Sequence, residues 1–381
     1  MVVYIPRFQE HDLKKFLCSD IYQVAIIYGA RRIGKTTLVK KFLESQKKSY
    51  LFKTGDDLEV QNILSKNSLV LLKSFIGNNK LVFIDEAQRI ENIAYSLKIL
   101  VDHNPNLKII VTGSSSLDLG KSIGEPLGGR AKIIKAFPIS QLELNKIETF
   151  CDTSAQLESR LIYGSYPVII THEDNQERKE YLLDSIDSYL LKDLLEFDGI
   201  RNSNKIKQLL RLIAFQVGKE VSQTELAGHL DLSKDTVAKY LDLLEKAFVI
   251  YSRQGFSRNL RSELTRNYHY YFFDNGIRNA LINNFNSLDM RDDLGLLWEN
   301  YIITERFKKN ELTHKKPSCY FWRTYEQQEI DLIEEIDGEL FAFEIKANKK
   351  TSKIPSQWKK NYPSSCFELI NRDNYLSFIE G

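Results

Sequence analysis

The sequence predicts an α/β fold: a parallel sheet with flanking helices, then a mainly helical part, then a small α/β part. Short apolar runs alternate with helical spacing over the first third, which is typical of parallel strands joined by crossover helices. Long amphipathic segments dominate from about residue 140. A chain of 381 residues exceeds the usual domain length of about 100–200 residues. We therefore predict three domains, residues 1–150, 151–284 and 285–381.

The predicted elements follow from apolar spacing. The strands of the first domain are Val24–Tyr28, Ser49–Phe52, Leu81–Ile84 and Lys108–Thr112, and its helices are Thr36–Ser45 and Asn92–Val101. Further helices are predicted over Asp174–Phe197, Asn204–Val217 and Leu294–Lys308, and further strands over 318–323, 328–336 and 339–346. The alternation of strands and helices in the first domain predicts the parallel sheet.

Composition narrows the class of protein. Hydrophobic residues make up 43% of the chain, which excludes a disordered protein. Lys and Arg total 53 against 51 Asp and Glu, so any basic surface must be local. The four cysteines lack the CxxC spacing of a zinc site or disulfide framework, and no apolar run approaches the roughly 20 residues of a membrane span. We expect a soluble cytoplasmic protein without a membrane partner.

A phosphate-binding loop follows the first predicted strand. The run from Gly29 to Thr36 matches G-x-x-x-x-G-K-[ST] at the start of a helix. Glycines let the backbone amides approach phosphate oxygens, Lys35 neutralises them and the Thr36 hydroxyl ligates Mg²⁺. The sequence therefore predicts ATP and Mg²⁺ as bound groups. The predicted ATP-binding residues are Gly29, Ala30, Arg31, Arg32, Ile33, Gly34, Lys35, Thr36 and Thr37.

Two carboxylates follow the third predicted strand, and two hydroxyl side chains lie at the end of the fourth. Asp85 is expected to hold Mg²⁺ through water, and Glu86 to orient or activate an attacking water. A water-polarising glutamate beside the metal aspartate favours hydrolysis over phosphoryl transfer. Thr112 or Ser114 would contact the γ-phosphate, although hydroxyls at strand ends are also common as caps and turns.

These motifs carry a family resemblance. The sequence resembles the AAA-type ATPases of bacteria and archaea that carry a C-terminal domain formerly of unknown function. The resemblance implies an oligomer in which an arginine of one subunit completes the site of the next, and Arg130 matches that position; alternatively, Arg130 pairs with a carboxylate of its own domain. The motifs are Gly29–Thr37, Ile84–Gln88, Val111–Ser115, Leu127–Arg130, Gly164–Pro167 and Tyr271–Gly276.

The second predicted domain contains a helix-turn-helix over Val221–Ile250. Ser222 with Glu225 forms a capping-box pattern, Ser233 caps the second helix, and two following apolar runs are candidate wing strands of a winged helix. The pattern favours either DNA recognition or a packing role as the lid of the ATPase. The charges at the exposed positions of the second helix sum to zero, whereas a helix that binds phosphates needs a surplus of cations. The candidate DNA contacts are Lys234, Lys239, Arg253, Arg258 and Arg261.

The third predicted domain resembles the PD-(D/E)xK nuclease core of restriction endonucleases. In that core, Asp331 and Glu344 would bind a divalent metal and Lys346 would position the attacking water, with Glu299 as a fourth member. A charged strand end is also a frequent structural feature, so fold and cleavage are separate questions. The lysines that follow are either a solvated face or a strip for a phosphate backbone, and Trp358 beside them favours nucleic acid.

Three functions remain open. The leading one is an ATP-driven oligomeric ATPase acting on DNA. The second is a nucleotide-gated switch that binds a protein partner, and the third is a metal-dependent DNA nuclease controlled by ATP.

Overall fold

The chain divides into two compact units. The computed structural model describes residues 4–114, 126–186, 203–257 and 268–381. The N-terminal unit comprises Tyr4–Pro138 and Lys246–Phe248. The C-terminal unit comprises Ile139–Glu245 and Val249–Gly381.

The N-terminal unit is built on a five-stranded sheet in the order β2-β3-β4-β1-β5, and every adjacent pair is parallel. The strands are β1 (Val24–Tyr28), β2 (Leu51–Thr54), β3 (Leu81–Asp85), β4 (Lys108–Gly113) and β5 (Ala131–Lys135). The helices are α1 (Gln9–Cys18), α2 (Lys35–Ser45), α3 (Leu58–Leu64), α4 (Leu69–Ile76) and α5 (Ile93–His103). The predicted parallel α/β sheet is confirmed.

Burial explains which strands the sequence revealed. Strands β1 and β3 are buried at every position, so both read as continuous apolar runs. Strand β5 was not predicted, because it is an edge strand whose lysines interrupt the apolar pattern. Helices α3 and α4 were also missed; both lie in the crossover between β2 and β3.

The C-terminal unit combines helices with a seven-stranded mixed sheet. The sheet order is β12-β11-β10-β9-β7-β8-β6. The strands are β6 (Glu220–Val221), β7 (Ile250–Gly255), β8 (Tyr268–Phe272), β9 (Ser318–Arg323), β10 (Glu329–Ile336), β11 (Glu339–Ile345) and β12 (Cys366–Ile370). The helices are α6 (Gln141–Leu144), α7 (Phe150–Tyr163), α8 (Pro167–Thr171), α9 (Asn175–Ser185), α10 (Ser203–Phe215), α11 (Gln223–Leu230), α12 (Lys234–Lys246), α13 (Asn275–Leu281), α14 (Leu294–Leu312), α15 (Ser356–Asn361) and α16 (Tyr375–Glu380).

One strand pair joins the second and third predicted domains. Strands β7 and β9 run parallel, with Gln254 opposite Tyr320 and Gly255 opposite Phe321. Strands β7 and β8 of the second predicted domain therefore belong to the same sheet as the strands of the third. The predicted domain boundary between residues 284 and 285 does not separate two sheets. The division into three domains stays a prediction. The predicted helix Asp174–Phe197 is described only as α9, since residues 187–202 lie outside the described part.

A core cluster corrects the prediction for Trp358. Its indole is fully buried, with its ring centroid 5.2 Å from that of Trp322 and 5.8 Å from that of Phe256. The indole nitrogen donates a hydrogen bond to Ser365 Oγ at 2.7 Å. Trp358 was predicted to support nucleic-acid binding beside the lysines. That interpretation is wrong, because a side chain in the core cannot stack on a base.

His269 predicts how stability depends on pH. Its ring stacks on Phe321 at 3.5 Å between centroids, and among the described residues neither ring nitrogen has a hydrogen-bond partner. Burial, aided by the charge of Arg323, lowers the pKa of His269 to about 3. The unfolded chain therefore takes up a proton as the pH falls below about 6.5, while the folded protein does not. We expect this group to remove about 3 kcal/mol of unfolding free energy by pH 4.

Replacing His269 with phenylalanine should abolish that loss and keep a ring against Phe321. The measurement is urea unfolding at pH 7 and pH 4, followed by tryptophan fluorescence, since the chain's 3 tryptophans, at 298, 322 and 358, all belong to the C-terminal unit. His229→Gln is the control, because the His229 side chain is 58% exposed. An unchanged acid loss in His269→Phe would contradict the assignment.

Candidate nucleotide site

The phosphate-binding loop lies between β1 and α2, as predicted. Its first glycine touches the chain that follows β5: a Cβ on Gly29 would lie 2.1 Å from the carbonyl oxygen of Ala136. Its last glycine, Gly34, takes a φ of 86° before the first residue of α2. A side chain would be excluded at the first position by contact and strained at the second by conformation. The loop therefore requires glycine at both positions.

Lys35 is the cation of this loop. Its side-chain nitrogen donates hydrogen bonds to the carbonyl oxygens of Gly29 at 2.9 Å and Ala30 at 2.8 Å. The residue is buried, and no side chain caps the amino end of α2. A helix amino terminus beside a buried ammonium group favours anions.

Asp85 joins three elements of the unit. Its carboxylate accepts hydrogen bonds from the Thr36 hydroxyl at 2.9 and 2.8 Å, and another from the Thr112 hydroxyl. The loop and the carboxyl ends of β3 and β4 thus meet at one carboxylate, which is itself buried. A hydroxyl and a carboxylate in contact are the usual oxygen ligands of Mg²⁺ beside phosphates.

Gln88 is a site residue that sequence reasoning missed. It lies in a short 3₁₀ turn after β3, and its amide nitrogen donates to Glu86 Oε2 at 2.5 Å and to Ser114 Oγ at 3.1 Å. The amide thereby bridges the predicted water-activating carboxylate and one of the two predicted γ-phosphate hydroxyls. The signal was present, because Gln88 ends the motif Ile84–Gln88, but spacing alone assigned it no role.

The backbone at Glu86 is held in an uncommon conformation. Its φ is 47°, in the left-handed region. A Cβ on Gly55, just beyond β2, would lie 2.3 Å from the Glu86 carbonyl oxygen, and the Gly55 amide donates to the Asp85 carbonyl at 2.8 Å. The glycine admits the turn that directs the chain from Asp85 into Gln88.

Arg7 is a second residue that the motifs do not contain. Its guanidinium donates to the carbonyl oxygens of Ile33 at 2.9 Å and Phe137 at 2.7 Å. Arg7 is buried, and its two hydrogen bonds connect the phosphate-binding loop to the chain after β5. It precedes Ile33 of the loop by 26 positions. No local sequence pattern marks such a contact.

Arg130 lies far from its own phosphate-binding loop. Its guanidinium forms an ion pair with Asp102 at 2.6 Å. Its carbonyl oxygen accepts from the amides of Gln23 and Val24 at 2.9 and 3.1 Å, at the amino end of β1. The loop begins at the other end of this strand, about 16 Å away. The predicted pairing within the domain is therefore present, and a shared site would require the Arg130 of a second subunit.

The residues present fit bound ATP and Mg²⁺. The loop has the two required glycines and a buried cation, which suit the phosphates. Thr36 and Asp85 are already in contact and supply the oxygen ligands that Mg²⁺ prefers.

The C-terminal unit brings the predicted nuclease residues together. Lys346 Nζ lies 2.7 Å from Asp331 Oδ2 and 3.3 Å from Glu344 Oε1. Asp331 Oδ2 also accepts from the backbone amide of Ile345 at 2.7 Å. Glu299 Oε1 accepts from the Tyr271 hydroxyl at 3.0 Å.

Charges within this cluster perturb one another. Burial, together with the charge of Asp331, raises the pKa of both Glu299 and Glu344. Burial alone would lower the pKa of Lys346, but the charges of Asp331 and Glu344 outweigh it, and its pKa is raised. Across residues 4–114, 126–186, 203–257 and 268–381, no three His, Cys, Asp or Glu residues form a group that could hold a metal ion. The described geometry is that of carboxylates neutralised by a lysine.

The predicted DNA contacts differ in their surroundings. Lys234 and Lys239 are exposed on α12. Arg253 is partly buried, with its guanidinium 5.3 Å from the ring centroids of Tyr251 and Phe307. Arg258 and Arg261 lie outside the described residues.

Comparison with protein families supports the nucleotide site. Residues 22–145 match the family model described as an AAA domain. This part of the chain is similar to AAA-type ATPases. Two further models, each described as a domain of unknown function, match residues 154–288 and 294–372. In the described part of the chain, no helix has both the length and the apolar character needed to span a membrane.

The curated relatives extend over most of the chain. An uncharacterized protein of Mycobacterium tuberculosis is 27% identical over 335 residues, which are 86% of this chain and 71% of the relative. An uncharacterized protein of Methanocaldococcus jannaschii is 25% identical over 330 residues, covering 82% and 72%.

Solved structures resemble the chain only weakly. The Holliday junction branch migration motor RuvB of Thermotoga maritima has a TM-score of 0.35 at 16% identity, covering 64% of this chain and 88% of that one. Cdc6p of Pyrobaculum aerophilum has a TM-score of 0.34 at 15% identity, covering 74% and 97%.

Proposed function

We propose that this protein is a Mg²⁺-dependent, oligomeric AAA-type ATPase that acts on DNA. The observation that carries the ATPase assignment is the convergence on Asp85 of Thr36 from the loop and Thr112 from β4, with Glu86 as the next residue. In this proposal Asp85 holds the metal, and Glu86 beside it activates the attacking water. The match of residues 22–145 to an AAA domain supports the same assignment.

Each residue has a proposed role in hydrolysis. The loop amides and Lys35 would bind the phosphates, and Thr36 with Asp85 would hold Mg²⁺. When bound, Mg²⁺ neutralises charge on the phosphate oxygens. Glu86 would take the proton of the attacking water, while the hydroxyls of Thr112 and Ser114 would contact the γ-phosphate.

Gln88 is proposed to position the Glu86 carboxylate. Gln88→Ala should lower kcat about tenfold and leave KM for ATP unchanged, because the amide touches Glu86 and Ser114 but not the loop. Gln88→Glu removes the amide donor and places a second negative charge beside Glu86, so it should lower kcat at least as much as Gln88→Ala does. The measurement is steady-state ATPase activity over a range of ATP concentrations, which separates kcat from KM.

Gln46→Ala is a matched control, since that glutamine lies beyond α2 and its side-chain amide donates to the neighbouring Ser45 hydroxyl. A kcat in Gln88→Ala equal to that of wild type would contradict the positioning role of Gln88.

The DNA part of the proposal rests on α11 and α12. These helices have the predicted helix-turn-helix order; Ser233 caps α12 through the Thr236 amide at 3.1 Å, and β7 with β8 forms an antiparallel hairpin after it. We propose that this is a winged helix whose exposed Lys234 and Lys239 contact phosphates. The test is a titration of single strands, duplexes and branched junctions at low salt, measuring binding and ATPase rate. The DNA part would be wrong if no DNA either bound or changed the rate.

A nucleotide-gated switch is the second candidate function. The exposed side chains of α12 include Lys234, Asp235, Lys239 and Asp242, so opposite charges balance on that face. A balanced face suits a protein partner better than a phosphate backbone. This function predicts slow hydrolysis and an ATP-dependent change in assembly, whereas fast turnover stimulated by DNA would argue against it.

A metal-dependent nuclease of the PD-(D/E)xK type is the third candidate. The contacts among Asp331, Glu344 and Lys346 favour it. Cleavage would be assayed with Mg²⁺ or Mn²⁺ in wild type, Asp331→Ala and Lys346→Ala. Equal products from all three proteins would remove this function.

A further inference from the structure

A run of lysines without acidic residues follows β11. Residues 345–367 contain six lysines and no aspartate or glutamate. Subtracting these six from the net charge of +2 leaves −4 for the rest of the chain, so this segment carries a cationic surface on an otherwise acidic protein. Five of its lysines are exposed, and none of the five has an ion pair with a described residue: Lys349, Lys350, Lys353, Lys359 and Lys360.

A fully exposed aromatic ring lies beside this segment. Tyr325 is in the turn between β9 and β10, where its side chain meets solvent on all sides. The turn is fixed to the start of α15, because Gln328 Oε1 accepts from the Gln357 amide at 3.1 Å and Glu326 accepts from the Gln357 side chain at 2.7 Å. The exposed Tyr325 ring is accessible on both faces, and covering it with a partner would remove apolar surface from water, which is favourable.

We infer that Tyr325 and the lysines around α15 form a docking surface for single-stranded nucleic acid. This inference deepens the DNA part of the proposed function and rests on it. Unpaired lysines match a phosphate backbone as point charges without reading its sequence. An exposed ring stacks on a base, and only an unpaired base offers its face. An anionic membrane would also attract lysines and would accept a tyrosine at its interface, so binding to vesicles is measured as the contrary outcome.

The surface differs from the site first predicted here. Trp358 lies in α15, one residue before Lys359, and is buried, so the aromatic group available to a partner is Tyr325 in the turn between β9 and β10. Asp331, in the adjoining β10, begins the carboxylate and lysine cluster six residues after Tyr325. The turn that carries Tyr325 therefore leads into the strand that carries Asp331.

The test measures binding of the full chain to a fluorescent thirty-nucleotide oligo-dT and to a duplex of the same length, by anisotropy over a range of salt. Tyr325→Ala should weaken oligo-dT binding about tenfold and leave duplex binding unchanged, while Tyr325→Phe should bind as wild type. The triple variant of Lys353, Lys359 and Lys360 to alanine should reduce the slope of log affinity against log salt by about two.

Lys14, Lys15 and Lys48, changed together to alanine, are the matched control, since they are exposed and belong to the N-terminal unit. Equal effects of the two triple variants, or unchanged oligo-dT binding in Tyr325→Ala, would overturn the inference while leaving DNA binding intact. Wild type that binds phosphatidylserine vesicles and no oligonucleotide would overturn it together with the DNA proposal. ATPase activity, measured on the same samples, tests the nucleotide site separately.

Discussion

Replacing Glu86 with glutamine is expected to give a protein that binds ATP as wild type does and hydrolyses it at least about a hundredfold more slowly. Glutamine keeps the size of the side chain and the hydrogen-bond acceptor that Gln88 contacts, but it cannot take a proton from water. Phosphate binding by Lys35 and the loop is untouched, so affinity should not change. Equilibrium binding of a fluorescent ATP analogue and single-turnover hydrolysis measure the two effects.

Glu91→Gln is the control, since this exposed glutamate follows the same turn. Lys35→Ala should instead abolish nucleotide binding, because it removes the buried cation of the loop. Turnover of Glu86→Gln within threefold of wild type would show that another group activates the water.

The Arg130→Ala variant should retain ATP binding and lose turnover about a thousandfold, if a subunit's Arg130 acts in the site of its neighbour. Such arginines stabilise charge that develops on the phosphoryl oxygens during transfer. The same substitution also removes the ion pair with Asp102. The side chains of Arg130 and Asp102 are 31% and 37% exposed. Pairs so accessible to water contribute little to stability, so folding should be almost unaffected.

Asp102→Asn separates the two roles of Arg130. It breaks the same ion pair but keeps the guanidinium, so it should hydrolyse ATP at close to the wild-type rate. Both variants are compared by ATPase assay at a fixed protein concentration, because assembly depends on concentration. Equal losses in Arg130→Ala and Asp102→Asn would assign Arg130 a structural role within its own domain.

The features that the sequence predicted are those that local physics determines. Buried parallel strands must be apolar throughout, so β1 and β3 were placed within a residue of their ends. The loop between Gly29 and Thr36 was evident because phosphate binding requires glycine and lysine at fixed spacing. Strands β10 and β11 were also placed within a residue of their ends.

The features that were missed depend on contacts between distant parts of the chain. Arg7 reaches Phe137 across 130 positions, and no periodicity records such a contact. Gln88 acquires its role from Ser114, which β4 brings beside it. Trp358 was misjudged because neighbouring lysines suggested a surface, although its own ring lies in the core. The pairing of β7 with β9 likewise joins strands that the sequence assigned to separate domains.

The central claim is that ATP is hydrolysed at a site completed by a second subunit. Mixing equal amounts of Lys35→Ala and Arg130→Ala protein tests it most directly, because each variant supplies what the other lacks. Each alone should be inactive, and the mixture should regain roughly a quarter of the wild-type sites by random assembly. A mixture that assembles yet stays as inactive as its two components would contradict the shared site.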